Sequence, residues 1–139
     1  LQKFFIPMPN LKAFGFRLRS QTFNDQVLDA FISNTLPSLK QLKLSQLLIE
    51  NTAVTDLSVK KFFESLPQEW FSTLNNFQVD LSGTKITDES LRKFLDQNSQ
   101  KFKPLKALEI DTKNTQVTLQ MKNKISQWIE TKLKSDSNK

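Results

Sequence analysis

At 139 residues, with 37% hydrophobic and 24% charged content, the sequence has the size and balance of one globular domain rather than of a disordered chain. It has no cysteine and no histidine, which excludes disulfides, thiol chemistry and Cys-ligated zinc and removes the commonest general base and transition-metal ligand; its two glycines, Gly15 and Gly83, cannot make a phosphate-cradling loop. The net charge of +6 permits attraction to something acidic, and no apolar run approaches the ~18 residues of a membrane span. Absence of cysteine fits a reducing compartment, so an intracellular, cytoplasmic location is expected.

One period organises the chain. The segments TDLSVKKFF (55–63) and TDESLRKFL (87–95) nearly copy each other. The apolar residue ahead of each such segment is Phe23, Val54, Ile86 and Val117, at separations of 31 (23 to 54), 32 (54 to 86) and 31 (86 to 117). Self-similarity at a fixed spacing in this range is the mark of stacked repeat units. In chain order, residues 1–10 are expected to be the end of a preceding repeat, because the opening LQKFF matches VKKFF at Val59 and LRKFL at Leu91. That would make the chain the C-terminal part of a longer protein. Repeats over 11–38, 39–73 and 74–104 follow within a single domain. Residues 105–134 form the last repeat with a terminal capping helix, and 135–139 a polar tail.

Each unit is expected to open on a short strand. Three apolar columns precede the anchors at alternate positions: Phe14, Ser45, Phe77 and Leu108; Phe16, Leu47, Val79 and Ile110; Leu18, Ile49, Leu81 and Thr112. Period two is the pattern of a strand with one buried face. The second strand has a competing frame through Leu39, Leu42 and Leu44, which would exchange its faces; the frame starting at Leu44 keeps the repeat spacing.

A helix follows each anchor. Asn24-Asp25, Thr55-Asp56 and Thr87-Asp88 precede apolar residues at helical spacing: Leu28, Phe31 and Ile32; Val59, Phe62 and Phe63; Leu91, Phe94 and Leu95. Such side-chain oxygens accept otherwise unpaired N–H groups at a helix start, so this Asp column is assigned to capping rather than to a metal. The last helix keeps Thr118, has Leu119 in place of Asp, and runs through Met121, Ile125, Trp128 and Ile129. Trp70 and Trp128 are expected as core or cap residues.

Strand, turn, capped helix and return at this spacing resemble the leucine-rich repeat. The motif is clearest from Leu44 through Leu47, Ile49 and Thr52 to Val54, and from Val79 through Leu81 and Thr84 to Ile86. It looks most like the long ribonuclease-inhibitor-like or cysteine-containing-like subclasses. It departs from them at Asn76, Ala13, Ala107 and Thr112 and in having Thr where Asn or Cys is usual. The resemblance implies an α/β solenoid of about four repeats, with parallel strands on a concave face and helices on a convex one. It implies that the Thr column satisfies backbone atoms in the turns.

On that reading the concave face carries Gly15, Gln46, Gln78 and Glu109 in one row and Arg17, Leu48, Asp80 and Asp111 in the next, with Ala13, Leu44, Asn76 and Ala107 in a third. It grades from basic and apolar to acidic, and these residues are the candidate partner-binding set. Lys60, Lys61, Arg92, Lys93 and Lys124 recur at equivalent helix positions as a candidate basic stripe on the convex face. No catalytic residue, cofactor site or metal site is expected; Asp80 and Asp111 could act as an acid–base pair, but nothing beside them suggests a nucleophile. The expected function is a non-enzymatic protein–protein interaction or scaffold module. Two alternatives stand beside it. The basic convex face could bind nucleic acid, acidic protein tails or anionic lipid; or the chain could be a regulatory or substrate-receptor domain of a larger signalling or GTPase-activating protein.

Overall fold

The computed structural model describes residues 5–137, with side chains through 134. It is an α/β structure built on a four-stranded parallel sheet. Strands β1 (Ala13–Arg17), β2 (Leu44–Leu48), β3 (Asn76–Asp80) and β4 (Ala107–Asp111) lie side by side in sequence order. Register follows the repeat: Phe16 pairs with Leu47, Leu47 with Val79, and Val79 with Ile110. The second strand takes the Leu44 frame, and Leu39 and Leu42 are buried in the segment leading into it. Ser45, Leu47, Phe77, Val79, Leu108 and Ile110 face the core, with Phe14 and Phe16 half-buried in the first strand. Beyond the strands, unit-to-unit backbone bonds continue from Leu18 N to Leu48 O (2.9 Å), Ile49 N to Asp80 O (3.0 Å) and Leu81 N to Asp111 O (2.8 Å).

Helical segments cover the buried face. They comprise α1 (Asp25–Asn34), α2 (Asp56–Glu64), the short α3 (Trp70–Thr73) and α4 (Leu119–Ser137). Leu28, Phe31 and Ile32 of α1 and Val59, Phe62 and Phe63 of α2 are buried, as the spacing requires. The core is aromatic: Phe77 of β3 lies within 6.5 Å, ring to ring, of Phe63, Trp70, Phe94 and Phe102. Burying each such ring contributes roughly 2–3 kcal/mol. The two indoles hold polar tips inside this core. Trp70 Nε1 donates to the Leu39 carbonyl (2.6 Å) and Trp128 Nε1 to that of Ser99 (3.1 Å).

Several expectations change. Residues 5–8 form no helix and 9–10 make a turn, with Pro7 and Pro9 interrupting any helical run, so the anticipated end of a preceding repeat's helix is not found there; residues 1–4, which carry the rest of that match, lie outside the described residues. The third unit has no regular α-helix: a 3-10 turn (Asp88–Ser90) passes into a π-helical turn (Phe94–Asn98) and a second 3-10 turn (Ser99–Lys101). The Ser99 hydroxyl takes the Leu95 carbonyl (2.7 Å), competing with the helical ladder, while Leu91, Phe94 and Leu95 still reach the core. Helix α4 continues to Ser137, into the segment expected as a polar tail; residues 138 and 139 lie outside the described residues.

The Asp column does something other than cap. The caps are the residues before it: Asn24 accepts from Val27 N, Thr55 from Leu57 N, Thr87 from Glu89 N and Thr118 from Met121 N. Each Asp sits in the first helical turn and reaches across to the next unit. Asp25 accepts from Thr55 N (2.8 Å), Thr55 Oγ1 (2.6 Å) and Ser58 Oγ (2.5 Å). Asp56 repeats this with Thr87 N (2.9 Å), Thr87 Oγ1 (2.6 Å) and Ser90 Oγ (2.5 Å). Asp88 takes only Thr118 N and Oγ1, both at 2.8 Å, because Met121 stands where the serines would be. Burial disfavours the charge on Asp25 and Asp56, but the hydroxyl and amide donors together outweigh it and hold both carboxyls below 3.8. These residues are clamps between units.

The strand-to-helix turns are also shared. Thr52, Thr84 and Thr115 donate to the carbonyls of Ile49, Leu81 and Thr112, three residues back, at 2.8, 2.7 and 2.6 Å. The residue before each Thr has positive φ: Asn51 at 58°, Gly83 at 70° and Asn114 at 58°. Asn and Gly are the residues that adopt this conformation most readily.

Candidate interaction surface

The strand face opposite the helices is open, and it carries all three expected rows. Gly15, Gln46, Gln78 and Glu109 are cross-strand neighbours, as are Arg17, Leu48, Asp80 and Asp111. Within the first row the Gln46 amide donates to Gln78 Oε1 (3.0 Å). Gln46 lies so close over Gly15 that a Cβ there would come within 2.9 Å of the Gln46 Cβ. Leu44 and Leu48 are half-buried, giving this polar surface an apolar strip in the second unit.

The second row is organised by a residue that the sequence reading did not single out. Glu50 lies just beyond β2 and is only 4% exposed. Its Oε1 accepts from Arg19 Nε (2.6 Å) and forms an ion pair with Arg17, whose Nε lies 2.8 Å away. Its Oε2 is buried with no amide, hydroxyl or guanidinium donor against it, and the Glu50 carboxyl is hydrogen-bonded to that of Asp80. Asp80 Oδ1 also accepts from Ser82 N (3.0 Å) and Ser82 Oγ (2.6 Å). Burial disfavours the Asp80 charge, while the hydrogen bond with the Glu50 side chain, the Ser82 bonds and the Arg17 guanidinium favour it, leaving its carboxyl below the usual value. The basic end of the gradient is thus tied to a buried acid. At the other end, Asp111 Oδ1 accepts only from Lys113 N (3.0 Å), and Glu109 is exposed. Among the described residues no Lys or Arg stands within ion-pair range of Glu109 or Asp111.

Glu50 had a signal. It occupies the position held by Arg19, Ser82 and Lys113 in the other units, and opposite charges at neighbouring positions of paired strands attract. It escaped because it falls outside the alternating columns.

The outer helical face is balanced instead. Lys60 faces Glu89 (3.7 Å), Lys61 faces Asp29 (3.4 Å), Lys93 faces Glu64 (3.4 Å) and Lys124 faces Asp96 (3.0 Å), while Arg92 pairs with Glu89. All five residues of the basic stripe therefore stand against carboxylates. Exposed pairs of this kind contribute at most about 1 kcal/mol each, but they lower the field an acidic partner would meet. A cleft of about 550 Å³ between units two and three is lined by Leu57, Lys60, Lys61, Glu64, Lys85 and Glu89, among others, and so mixes both signs. Among the described residues there is no group of three or more acidic side chains placed to hold a metal ion, and no helix is long and apolar enough to cross a membrane. The sequence matches no protein-family model and no curated protein.

Proposed function

We propose that the chain is a run of about four leucine-rich repeats of the long, ribonuclease-inhibitor-like or cysteine-containing-like kind, and that it binds another protein through its open sheet face without catalysing a reaction. In such a solenoid this face is the concave one. The observation that carries the reading is the contrast between the two surfaces. The open face leaves Glu109 and Asp111 without basic partners among the described residues, on the same face as an apolar strip at Leu44 and Leu48, whereas each of the five basic residues of the outer stripe stands against a carboxylate. The four strands in register at the repeat spacing, and the same turn and clamp contacts recurring from unit to unit, support the repeat architecture. A scaffold role in an intracellular assembly fits a chain without cysteine.

The test is a quantitative capture experiment with two charge-reversed sets, Asp80→Lys with Asp111→Lys, and Lys61→Glu with Lys93→Glu. Each variant is first shown to keep the wild-type circular dichroism spectrum. Proteins retained by wild type and by the outer-face set but lost by the open-face set support the proposal. Loss with the outer-face set alone, or retention by both, overturns it.

A further inference from the structure

We infer that copies of this chain associate head to tail, the β4 edge of one pairing with the β1 edge of the next so that the parallel sheet continues between molecules. The strands run in the order β1-β2-β3-β4, so among the described residues β1 and β4 each have a neighbouring strand on one side only. Free edges present unpaired N–H and C=O groups that invite another strand. The bonds along the sheet fix how that strand would join. Leu18, Ile49 and Leu81 each donate N–H to the unit ahead, at the carbonyls of Leu48, Asp80 and Asp111. Thr112 is the fourth of that column, and in the same register its N–H meets the Arg17 carbonyl of a second copy.

The side chains at the two ends suit this union. Met8, Leu11, Phe16 and Leu18 are half-buried, whereas the residues 31 further on, Leu39, Leu42, Leu47 and Ile49, are buried. The first unit thus exposes an apolar end that its successor keeps covered, and a stacked copy would take it out of water. The clamp positions change in step. Inside the chain an Asp reaches a Ser of the next unit, Asp25 to Ser58 and Asp56 to Ser90. At the two ends the giving position holds Leu119, 73% exposed, and the receiving position holds half-buried Val27, so an apolar contact replaces the hydrogen bond. The continued register also sets Asp111 beside Arg17 of the next copy. Arg17 is exposed even though it pairs with Glu50, and a guanidinium has five N–H donors to divide between two carboxylates. Lys106 falls beside Lys12, as Lys43 already does, and Lys113 near Arg19, whose charge Glu50 answers. Like edges match less well: two copies of β1 both bring Lys12, Arg17 and Arg19, and two of β4 both bring Glu109 and Asp111. The union is between unlike surfaces, so its repetition builds chains or rings rather than two-fold pairs. It leaves the open face uncovered and therefore holds or fails independently of the reading above.

Sedimentation velocity of the full chain from about 10 μM to about 1 mM tests this. Wild type should grow past the dimer as its concentration rises. Two variants each block one end. Ala13→Pro removes an N–H that strand alternation turns away from β2, at an edge position where proline is tolerated. Leu119→Lys puts a charge where the apolar contact would form, on a side chain that is exposed in the single molecule. Alone, each variant should stay monomeric. Mixed one to one they should recover a dimer and nothing larger, because each keeps the edge that the other lacks. A wild type that stays monomeric throughout, a wild type that stops at the dimer, or a mixture no larger than its components overturns the inference. If Ala13→Pro alters the circular dichroism spectrum, Val27→Glu blocks the same end from the first turn of α1, where an acid suits the helix, and the same outcomes decide.

Discussion

Removing one clamp measures how much of this structure's cohesion is held between units. Replacing Asp56 by Ala deletes the acceptors for Thr87 N, Thr87 Oγ1 and Ser90 Oγ while leaving the Thr87 cap on Glu89 N intact. Hydrogen bonds to a charged group contribute about 1.5–3 kcal/mol each when shielded. Asp56 is only partly buried, so water takes over some of that role, and the three bonds share one charge. We therefore expect a cost of about 2–3 kcal/mol, well below the sum of three shielded bonds. In urea that corresponds to a midpoint lower by about 1–1.5 M, read by far-ultraviolet circular dichroism and by the fluorescence of the buried Trp70 and Trp128. Asp88→Ala removes two bonds rather than three and should cost less, about 1–2 kcal/mol. Leu57→Ala, next door but 79% exposed, should stay within about 0.5 kcal/mol of wild type. An Asp56→Ala cost no larger than that of Leu57→Ala, or an Asp88→Ala cost equal to or above it, would refute the clamp.

Gly83→Ala should destabilise by about 2–3 kcal/mol, since φ is 70° and the new Cβ would stand 1.9 Å from Asn51 Oδ1; thermal melting checks it, and Asn51→Gly, which relieves the crowding but not the strain of positive φ, should restore only part of the loss and leave about 1–2 kcal/mol. Asp25 and Asp56 have folded pKa values below their unfolded values, so their contribution is fully present above 3.8 and disappears as pH falls through the lower, folded values. Urea midpoints measured from about pH 6 down to about pH 2.5 should therefore drop, and Asp56→Asn should flatten that fall even as it lowers stability at neutral pH.

Much of the architecture could be read from spacing because it depends on periodicities that one chain displays. Phe77 and Val79 alternate with Gln78 as a one-sided strand must, and Leu28, Phe31 and Ile32 recur as a buried helix stripe must. The open-face rows follow from the same alternation. What escaped depends on contacts between units. Nothing within α2 tells whether Asp56 serves its own helix or its neighbour's; the clue lies a unit away, in Ser58 and Ser90, three residues after their caps. Glu50 escaped because its role comes from two arginines that precede it by a full repeat. The broken third helix keeps its apolar spacing, and its π turn, where Ser99 N bonds to the Phe94 carbonyl and the Ser99 hydroxyl to that of Leu95, is invisible to any count of apolar positions.

The clamps run in one direction, and that makes the middle of the molecule modular. Units two and three both present a Thr and a Ser to the carboxylate behind them and an Asp to the Thr ahead. Unit one has Asn24 and Val27 at the receiving positions, and the last unit has Leu119 at the giving one. A tandem copy of residues 55–86 inserted after Ile86 would find both of its connections already in place, whereas a copy set after α4 would meet a leucine. Gene duplication or protein engineering could thus lengthen the sheet from within, widening the open face one strand at a time without inventing a new joint.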